Sequence, residues 1–316
     1  MKNILVVGSS NTDMVIRVSK IPKPGETVLG GEFTMAPGGK GANQAVAAAR
    51  AGGHVTFVAR VGDDVFGERA RRNFESDGID TRFVFHTSDS PSGIALINVD
   101  GRGENSISVA SGANALLSVG DIERADEAFN AADIVLLQLE TPMETVRAAA
   151  KKARDSGVPV ILNPAPARPL DDDLLRLIAV LTPNEHEAEF LTGIPVRGER
   201  GAREAAVRLR ARGIVSVVIT MGERGAYASS LEFEGLVPAF KVDPVDTTAA
   251  GDVFNGALAV ALAEKAPMKE LLRFASAAAA LSVTRPGAQP SAPSRSEIGA
   301  FLSANTESIA HKASKR

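Results

Sequence analysis

Six short runs of aliphatic and β-branched residues recur along the chain, and each ends near Gly, Pro or Asn. Uninterrupted apolar runs of this length are typical of strands that are buried on both faces of a sheet. The runs cover residues 4–7, 55–59, 134–138, 158–162, 180–182 and 215–220. Stretches with helical spacing lie between them, at residues 41–51, 66–76, 144–155, 201–211, 251–263 and 269–283. This alternation predicts an α/β fold, with a mainly parallel central sheet covered by helices on both faces.

Two segments interrupt the alternation, at about residues 14–33 and 92–109. Neither has helical spacing, and the second alternates around a turn at residues 100–103, Asp-Gly-Arg-Gly. Short antiparallel strands fit such a pattern. We therefore predict a single domain over residues 1–316, into which these two segments insert a small β-sheet lid.

Composition excludes several classes of site and partner. The chain has 316 residues, no cysteine and a formal net charge of −3. Disulfides and thiolate metal sites are excluded, and no strong positive field is present to attract nucleic acid or an anionic membrane. The longest apolar stretches are shorter than the roughly 20 residues that span a bilayer, and the apolar run near Met1 is too short for a signal peptide. We therefore expect a cytoplasmic protein that binds neither nucleic acid nor membranes.

The strongest chemical motif is Asp-Thr-Thr-Ala-Ala-Gly-Asp at residues 246–252, which directly precedes a predicted helix. Small residues before a helix leave backbone N–H groups accessible, and together with the positive helix end they form an anion site. Asp252 lies beside that site and is able to accept a proton from an attacking hydroxyl group, as phosphoryl transfer requires. The alternative is that Asp252 only caps the helix.

A second motif, Pro-Gly-Gly-Lys-Gly-Ala-Asn-Gln-Ala at residues 37–45, opens the first predicted helix. Its glycines permit close approach of the backbone to a ligand, and Asn43 offers both a donor and an acceptor. It is not a P-loop, because Gly41 replaces the Ser or Thr that binds magnesium. It also resembles a dinucleotide fingerprint with Asp63 about 20 residues on, but Pro37 interrupts the strand that this fingerprint needs. Asp63 is instead a candidate ion-pair partner of Arg60.

The third motif is Gly-Ser-Ser-Asn-Thr-Asp at residues 8–13, at the end of the first predicted strand. Asn11 and Asp13 have the side chains to bind vicinal hydroxyl groups of a sugar. An Asn/Asp turn that closes a strand is the alternative interpretation.

In this order, the three motifs resemble the ribokinase branch of the PfkB carbohydrate kinase family. The resemblance extends from Val6 to Ser291 and includes Thr-Pro-Asn-Glu-x-Glu at residues 182–187. It implies ATP-dependent phosphorylation of D-ribose at the 5-hydroxyl group, which gives D-ribose 5-phosphate and ADP. It further implies a magnesium requirement, activation by potassium, and a homodimer formed through the lid. The alternatives are another acceptor (deoxyribose, a nucleoside or a keto-sugar acid) or a non-catalytic sugar sensor.

The resemblance also implies roles for individual residues. Asp252 would be the catalytic base, and the anion hole would be formed by Ala249, Ala250 and Gly251. The expected sugar-binding residues, besides Asp252, are Asn11, Asp13, Gly39, Lys40, Gly41, Asn43 and Glu140. The expected ATP-binding residues are Asn184, Thr220, Gly222, Gly225, Gly251 and Ser276. Glu187 would act on magnesium, largely through bound water. Potassium would be bound mostly by backbone carbonyl groups at Asp246, Thr248, Ser282, Arg285, Gly287 and Ser291.

Overall fold

The computed structural model describes residues 1–313, with side chains described as far as residue 305. Its central sheet has nine strands. In spatial order these are β13 (Glu234–Val237), β12 (Ala226–Ser229), β11 (Ser216–Thr220), β10 (Val180–Leu181), β9 (Val160–Leu162), β8 (Ile134–Leu137), β1 (Asn3–Val7), β4 (His54–Gly62) and β5 (Val84–Thr87). The strands from β11 to β5 pair in parallel, while β12 and β13 pair antiparallel at one edge.

The prediction of a mainly parallel sheet is confirmed, and all six predicted strands belong to its parallel part. Strands β5, β12 and β13 were not predicted from the sequence. The helices are α1 (Lys40–Arg50), α2 (Val65–Ser76), α3 (Val119–Arg124), α4 (Asp126–Ala131), α5 (Met143–Asp155), α6 (Asp172–Leu175), α7 (Glu185–Thr192), α8 (Glu199–Arg210), α9 (Ala250–Ala263), α10 (Met268–Ser282) and α11 (Arg295–Ala313).

The helices cover both faces of the central sheet. Successive side chains of each strand point to opposite faces, and since they are apolar on both faces, each face is buried against helices. In β1, Ile4 and Val6 pack in a core with residues of α1, α9 and α10. The neighbouring Leu5 and Val7 pack in a second core with residues of α5 and α8. Two separate cores therefore hold the strands, and the loops at the strand ends remain available for a site. Among the described helices, none is both long and apolar enough to cross a bilayer.

Helices α1 and α9 pack closely because small residues face each other at their contact. Gly256 of α9 lies against the α1 backbone, where an added Cβ would be 2.6 Å from the Gln44 carbonyl oxygen and 2.8 Å from the Ala48 nitrogen. Backbone atoms cannot move aside as a flexible side chain can. The glycine thus sets the distance between the two helices that bear the second motif and Asp252.

We predict that Gly256→Ala lowers the free energy of unfolding by about 1–3 kcal/mol, because the added methyl group overpacks the α1–α9 contact. Urea denaturation measures this change. Gly299→Ala is the matched control, since Gly299 is an exposed residue of α11 and an added Cβ there meets no described atom within 4 Å. The control should be neutral or stabilising by up to about 1 kcal/mol. Equal stability of Gly256→Ala and the wild type would contradict the prediction.

A second, smaller sheet is formed by four strands, in the order β3 (Glu32–Gly38), β2 (Asn11–Arg17), β6 (Gly93–Val99) and β7 (Asn105–Ala110). Its strands extend beyond the predicted first segment at both ends, and residues 18–31 form no strand. Pairs β2–β3 and β6–β7 are antiparallel, as predicted, but β2 and β6 pair in parallel. The reason is that β1 and β5 run in the same direction in the central sheet. Since β2 follows β1 and β6 follows β5, β2 and β6 also leave that sheet in the same direction.

Candidate active site

The three motifs meet at the carboxyl ends of the parallel strands, around the start of α9. Asp252 lies in the first turn of α9 and is only 6% exposed. Its Oδ2 accepts a hydrogen bond from Asn43 Nδ2 (3.0 Å), and its Oδ1 accepts one from Gln44 Nε2 (2.9 Å). Since the carboxylate is bound by side chains of α1 and not by the amides of its own helix, Asp252 is not a helix cap.

Charged side chains of the second and third motifs, together with Glu140, surround Asp252. Burial, followed by the negative charges of Glu140 and Asp252, raises the pKa of Asp13 to about 6. The charge of Asp252 in turn raises the pKa of Lys40. Burial also raises the pKa of Asp252, although Lys40, Asn43 and Gln44 oppose that rise. The ammonium group thus lies among carboxylates that repel one another, and such groups of perturbed pKa are typical of functional sites.

Glu140 is held against the start of α1. Its Oε2 accepts hydrogen bonds from Ser9 Oγ (2.5 Å) and from the Lys40 backbone nitrogen (3.0 Å). Ser9 Oγ accepts a further bond from the Gly41 nitrogen (3.3 Å). A hydroxyl group and two backbone amides therefore connect the ends of β1 and β8 to the second motif.

The glycines of the second motif are required by contact with the third motif, residues 8–13. Gly39 has φ 89°, in the left-handed region, and an added Cβ would be 2.7 Å from the Asn11 nitrogen. An added Cβ on Gly41 would be 2.5 Å from the Ser9 nitrogen. At both positions the obstacle is backbone, so a side chain would separate the two motifs.

Asn11 depends on a residue that the sequence analysis missed. Asn114 Nδ2 donates to Asn11 Oδ1 (2.8 Å), and Asn114 Oδ1 accepts from the Ser10 nitrogen (2.8 Å). Asn114 is buried in a short 3₁₀ turn, far along the chain. No sequence motif surrounds Asn114. A lone asparagine in a loop most often stabilises the local turn, so no local signal predicts its contact with Asn11.

The start of α9 has the features of the expected anion hole. Ala249 adopts a left-handed conformation with φ 58°, and no described side chain caps the helix. An added Cβ on Gly251 would meet no described atom within 4 Å, so the surface over this turn is open. Uncapped N–H groups at the positive end of a helix bind anions.

An open cleft of about 1220 Å³ adjoins this turn. All six expected ATP-binding residues line it: Asn184, Thr220, Gly222, Gly225, Gly251 and Ser276. Phe240 and Phe254 contribute apolar surface that the sequence analysis did not assign. The cleft has the size and the mixed lining of a site for a molecule as large as a nucleotide.

Glu187 and Asn184 form a capping box at the start of α7. Asn184 Oδ1 accepts from the Glu187 nitrogen and Glu187 Oε2 accepts from the Asn184 nitrogen, each at 2.8 Å. Burial raises the pKa of Glu187, and the charge of Lys40 opposes the rise. Among the described residues, no group of three or more His, Cys, Asp or Glu is arranged to hold a metal. A single buried carboxylate that faces Lys40 and Asp252 still fits Mg²⁺, which keeps most of its water ligands.

The expected potassium-binding residues lie in two loops that Asp246 joins, one before α9 and one that begins at Ser282, the last residue of α10. Its Oδ1 accepts from the Thr248 nitrogen (2.9 Å) and its Oδ2 from the Gly287 nitrogen (2.8 Å). Arg285 directs its guanidinium group to Glu297 (2.6 Å), so only its backbone is able to act as a ligand. Ser282 and Ser291 donate their hydroxyl groups to backbone carbonyls of their own turns. The donors therefore fit a monovalent cation in kind: one carboxylate and several backbone carbonyl oxygens.

The candidate pair of Arg60 and Asp63 does not form. Arg60 instead binds Asp121 of α3, with Nη2 2.7 Å from Oδ1. Asp121 is 1% exposed and also contacts Arg124. A buried carboxylate that accepts hydrogen bonds from the guanidinium group on both of its oxygens is the stronger partner.

Comparison with known proteins gives matches along nearly the whole chain. The model of the pfkB family carbohydrate kinase matches residues 1–295. Ribokinase of Haemophilus influenzae is 46% identical over 301 residues, which cover 95% of this chain and 98% of the relative. Deoxyribokinase of Salmonella typhi is 41% identical over 304 residues, which cover 96% of this chain and 99% of the relative.

Solved structures agree with the sequence matches. The structure of Arabidopsis thaliana ribokinase complexed with ribose and ATP has a TM-score of 0.88 and 34% sequence identity to this protein. The match covers 96% of this chain and 99% of that one. Family model, relatives and fold coincide, and the chain therefore belongs to the pfkB family of carbohydrate kinases, enzymes that transfer a phosphoryl group to a sugar.

Proposed function

We propose that this protein transfers the γ-phosphoryl group of ATP to the 5-hydroxyl group of D-ribose. The observation that supports this most directly is the position of the first turn of α9. Ala250 and Gly251 line the large cleft, while Asp252 binds Asn43 on the side of Asp13 and Glu140. One helical turn thus separates a space for a nucleotide from a group of side chains suited to sugar hydroxyls.

In this proposal the sugar is bound by Asn11, Asp13, Glu140 and the residues from Gly39 to Asn43. Asp252 accepts the proton of the 5-hydroxyl group as its oxygen attacks the γ-phosphorus, and ADP leaves. Burial makes the Asp252 carboxylate a better proton acceptor by raising its pKa. The N–H groups at the start of α9 stabilise the negative charge on the transferred group.

Two cations belong to this proposal. Mg²⁺, when bound, neutralises phosphate charge, and Glu187 would hold it through water. A potassium ion would be held by Asp246, Thr248 and the carbonyl groups of the second loop, at Ser282, Arg285, Gly287 and Ser291. Because Asp246 fixes the loop that leads to Ala249, these residues influence the anion hole without contact to ATP. We further propose a cytoplasmic location, where ATP is available.

We predict that affinity for ribose decreases as the pH falls below about 6, the pKa of Asp13 in the free protein. The ionised carboxylate accepts sugar hydroxyls, and the protonated form loses acceptor capacity. Isothermal titration calorimetry across this range measures the effect, and constant affinity would contradict it. Because the pKa of Asp13 is higher in the folded protein, the contribution of this residue to the free energy of unfolding decreases as the pH rises from 3.8 to about 6.

We propose that the small sheet is a lid and that its outer face forms a homodimer. Met14, Met35 and Leu96 lie opposite one another on one face, beside the pair Ile16 and Phe33. Four of these five side chains are exposed large hydrophobics. A contiguous exposed apolar patch of this kind is typical of an interaction surface.

We predict that Phe33→Asp converts the dimer to a monomer, because a carboxylate in an apolar interface lacks a partner. Sedimentation velocity measures the oligomeric state. Phe190→Asp is the matched control, since Phe190 of α7 is 49% exposed against 56% for Phe33, yet lies outside the small sheet. A wild-type protein that is monomeric, or a dimer that survives Phe33→Asp, would refute this interface.

The proposed function is tested by an assay coupled to ADP release, with D-ribose, 2-deoxyribose, fructose, 2-keto-3-deoxygluconate and adenosine as acceptors, each with and without potassium. Preference for ribose, increased by potassium, is the expected result. The second candidate acceptor is 2-deoxyribose, because one relative at 41% identity is a deoxyribokinase. Preference for it would keep the mechanism and change the substrate, while sugar binding without turnover would indicate a sensor.

A further inference from the structure

Behind Asp252 lies a chain of buried amide side chains that the mechanism above does not use. Gln44 of α1 has no exposed surface. Its Nε2 donates to Asp252 Oδ1 (2.9 Å) and to Asn163 Oδ1 (3.1 Å), and its Oε1 accepts from Gln138 Nε2 (2.6 Å). Both hydrogens and the oxygen of this amide therefore have partners in the protein.

The orientation of the Gln44 amide is fixed by the strand ends beyond it. Asn163, after β9, donates its Nδ2 to the Thr182 carbonyl oxygen (3.0 Å), so its Oδ1 must face Gln44. Gln44 in turn must present Nε2 to that oxygen, because the flipped amide would place oxygen against oxygen. The second hydrogen of Nε2 then points to Asp252.

Asp252 is held on both of its oxygens. Asn43 binds Oδ2 and Gln44 binds Oδ1, so rotation of the carboxylate would break two hydrogen bonds. Each carboxylate oxygen has about two acceptor positions, which leaves capacity for an incoming hydroxyl group. Asn43 belongs to the expected sugar site, whereas Gln44 lies behind the carboxylate and is fully buried.

We propose that Gln44 is a positioning residue, which holds the Asp252 carboxylate in the orientation that accepts the sugar proton. The proposal rests on the function of Asp252 as the base. In this proposal, hydrogen bonds from the Thr182 carbonyl through Asn163 to Gln44 connect the ends of the strands to Asp252 on α9. They thereby fix the orientation of the Asp252 carboxylate. Positioned partners of this kind contribute to catalysis without contact to the substrate.

Other charges also face Asp252, and the test must distinguish Gln44 from them. Lys40 lies on α1, Glu140 follows β8, Asp13 lies on β2 and Glu187 on α7. None of these charges is altered by a neutral replacement of Gln44. A change in the titration of Asp252 in such a variant is therefore attributable to the lost N–H group.

The test uses Gln44→Met, which keeps the chain length but lacks the N–H group, and Gln44→Glu, which keeps the shape and replaces the N–H group by oxygen. Thr145→Val is the control: Thr145 is fully buried and donates to the Leu117 carbonyl (2.6 Å) in the opposite core. Two quantities are measured for each protein. One is kcat against pH, and the other is the ¹³C NMR titration of the Asp252 carboxyl, assigned by its absence from Asp252→Asn.

We expect Gln44→Met to lower kcat at least about tenfold and to raise the pKa of Asp252 by about one unit, since a hydrogen bond to the charged form is lost. Gln44→Glu should raise it further, because two adjacent carboxylates share one proton. Thr145→Val should reduce thermal stability and leave both readouts unchanged.

An Asp252 titration that is the same in Gln44→Met and the wild type would overturn the positioning role. So would a loss of kcat that Thr145→Val shows equally, since that loss would follow from stability alone. If Gln44→Met does not fold, Gln44→Ala, which is also neutral and lacks the N–H group, decides the outcome. The NMR titration is independent of whether Asp252 is the base, so failure of the proposed function appears separately, as retained turnover in Asp252→Asn.

Discussion

Asp252→Asn is expected to lower kcat by roughly 10²–10⁴-fold, because an amide cannot accept the proton of the attacking hydroxyl group. The substitution preserves size and shape, so the sugar and ATP should still bind with similar affinity. Steady-state kinetics gives kcat, and calorimetry gives the two affinities. A loss in kcat with retained binding identifies a group that acts in the transition state.

The environment of Asp252 requires a control for this variant. The new amide nitrogen would face a donor, either Asn43 Nδ2 or Gln44 Nε2, and this will disturb the buried network. Asp121→Asn provides the comparison, since it removes a buried carboxylate that binds Arg60 away from the site. It should lower the thermal midpoint and leave kcat unchanged. Turnover of Asp252→Asn near the wild-type value would refute the catalytic role.

Asp13→Ala should lower kcat/KM for ribose by roughly 10²–10⁴-fold, because two hydrogen bonds to a charged acceptor contribute about 1.5–3 kcal/mol each. The effect should be largely in KM, since these bonds form in the ground state as well as the transition state. Initial rates across ribose concentrations separate the two parameters. The KM for ATP should remain unchanged, because Asp13 does not line the cleft that we propose for the nucleotide.

The free energy of unfolding distinguishes a role of Asp13 in sugar binding from a role in folding. Burial and the charges of Glu140 and Asp252 oppose its ionisation, so its removal should not destabilise the ligand-free protein at neutral pH. Glu104→Ala is the control, since Glu104 is an exposed carboxylate at the turn between β6 and β7 of the same small sheet. It should leave KM unchanged. An equal effect of the two variants on KM would contradict direct contact between Asp13 and the sugar.

Much of the fold was predictable from local patterns. Buried parallel strands are almost continuously apolar, so β1 and β8 are recognisable in the sequence from their own residues. Strands β12 and β13 were missed. β13 is an edge strand that pairs on one side only, and its neighbour β12 is the short run Ala-Tyr-Ala-Ser, so the apolar pattern of both is weak and neighbouring turns dominate.

The site residues also differ in how well local sequence predicts them. Residues that belong to compact motifs, such as Asp252 and Asn43, were predictable because glycines and small residues beside a helix start constrain the backbone over a few positions. Asn114 and Asn163 were not predictable, because each is a single buried amide whose partner is distant in sequence. Nothing in the adjacent residues distinguishes such an asparagine from one in an ordinary turn.

The sequence by itself determined the alternation of strands and helices, the order of the motifs and the absence of thiol chemistry. Only the tertiary structure decided which groups act on one another. It placed Gln44 within 2.9 Å of Asp252 across 208 residues, brought Glu140 and Asp252 close enough to raise the pKa of Asp13, and set β2 parallel to β6. The physical reason is that parallel strands end at one edge of the sheet. Loops distant in sequence therefore meet there, and hydrogen bonds and pKa values depend on distances that no local pattern contains.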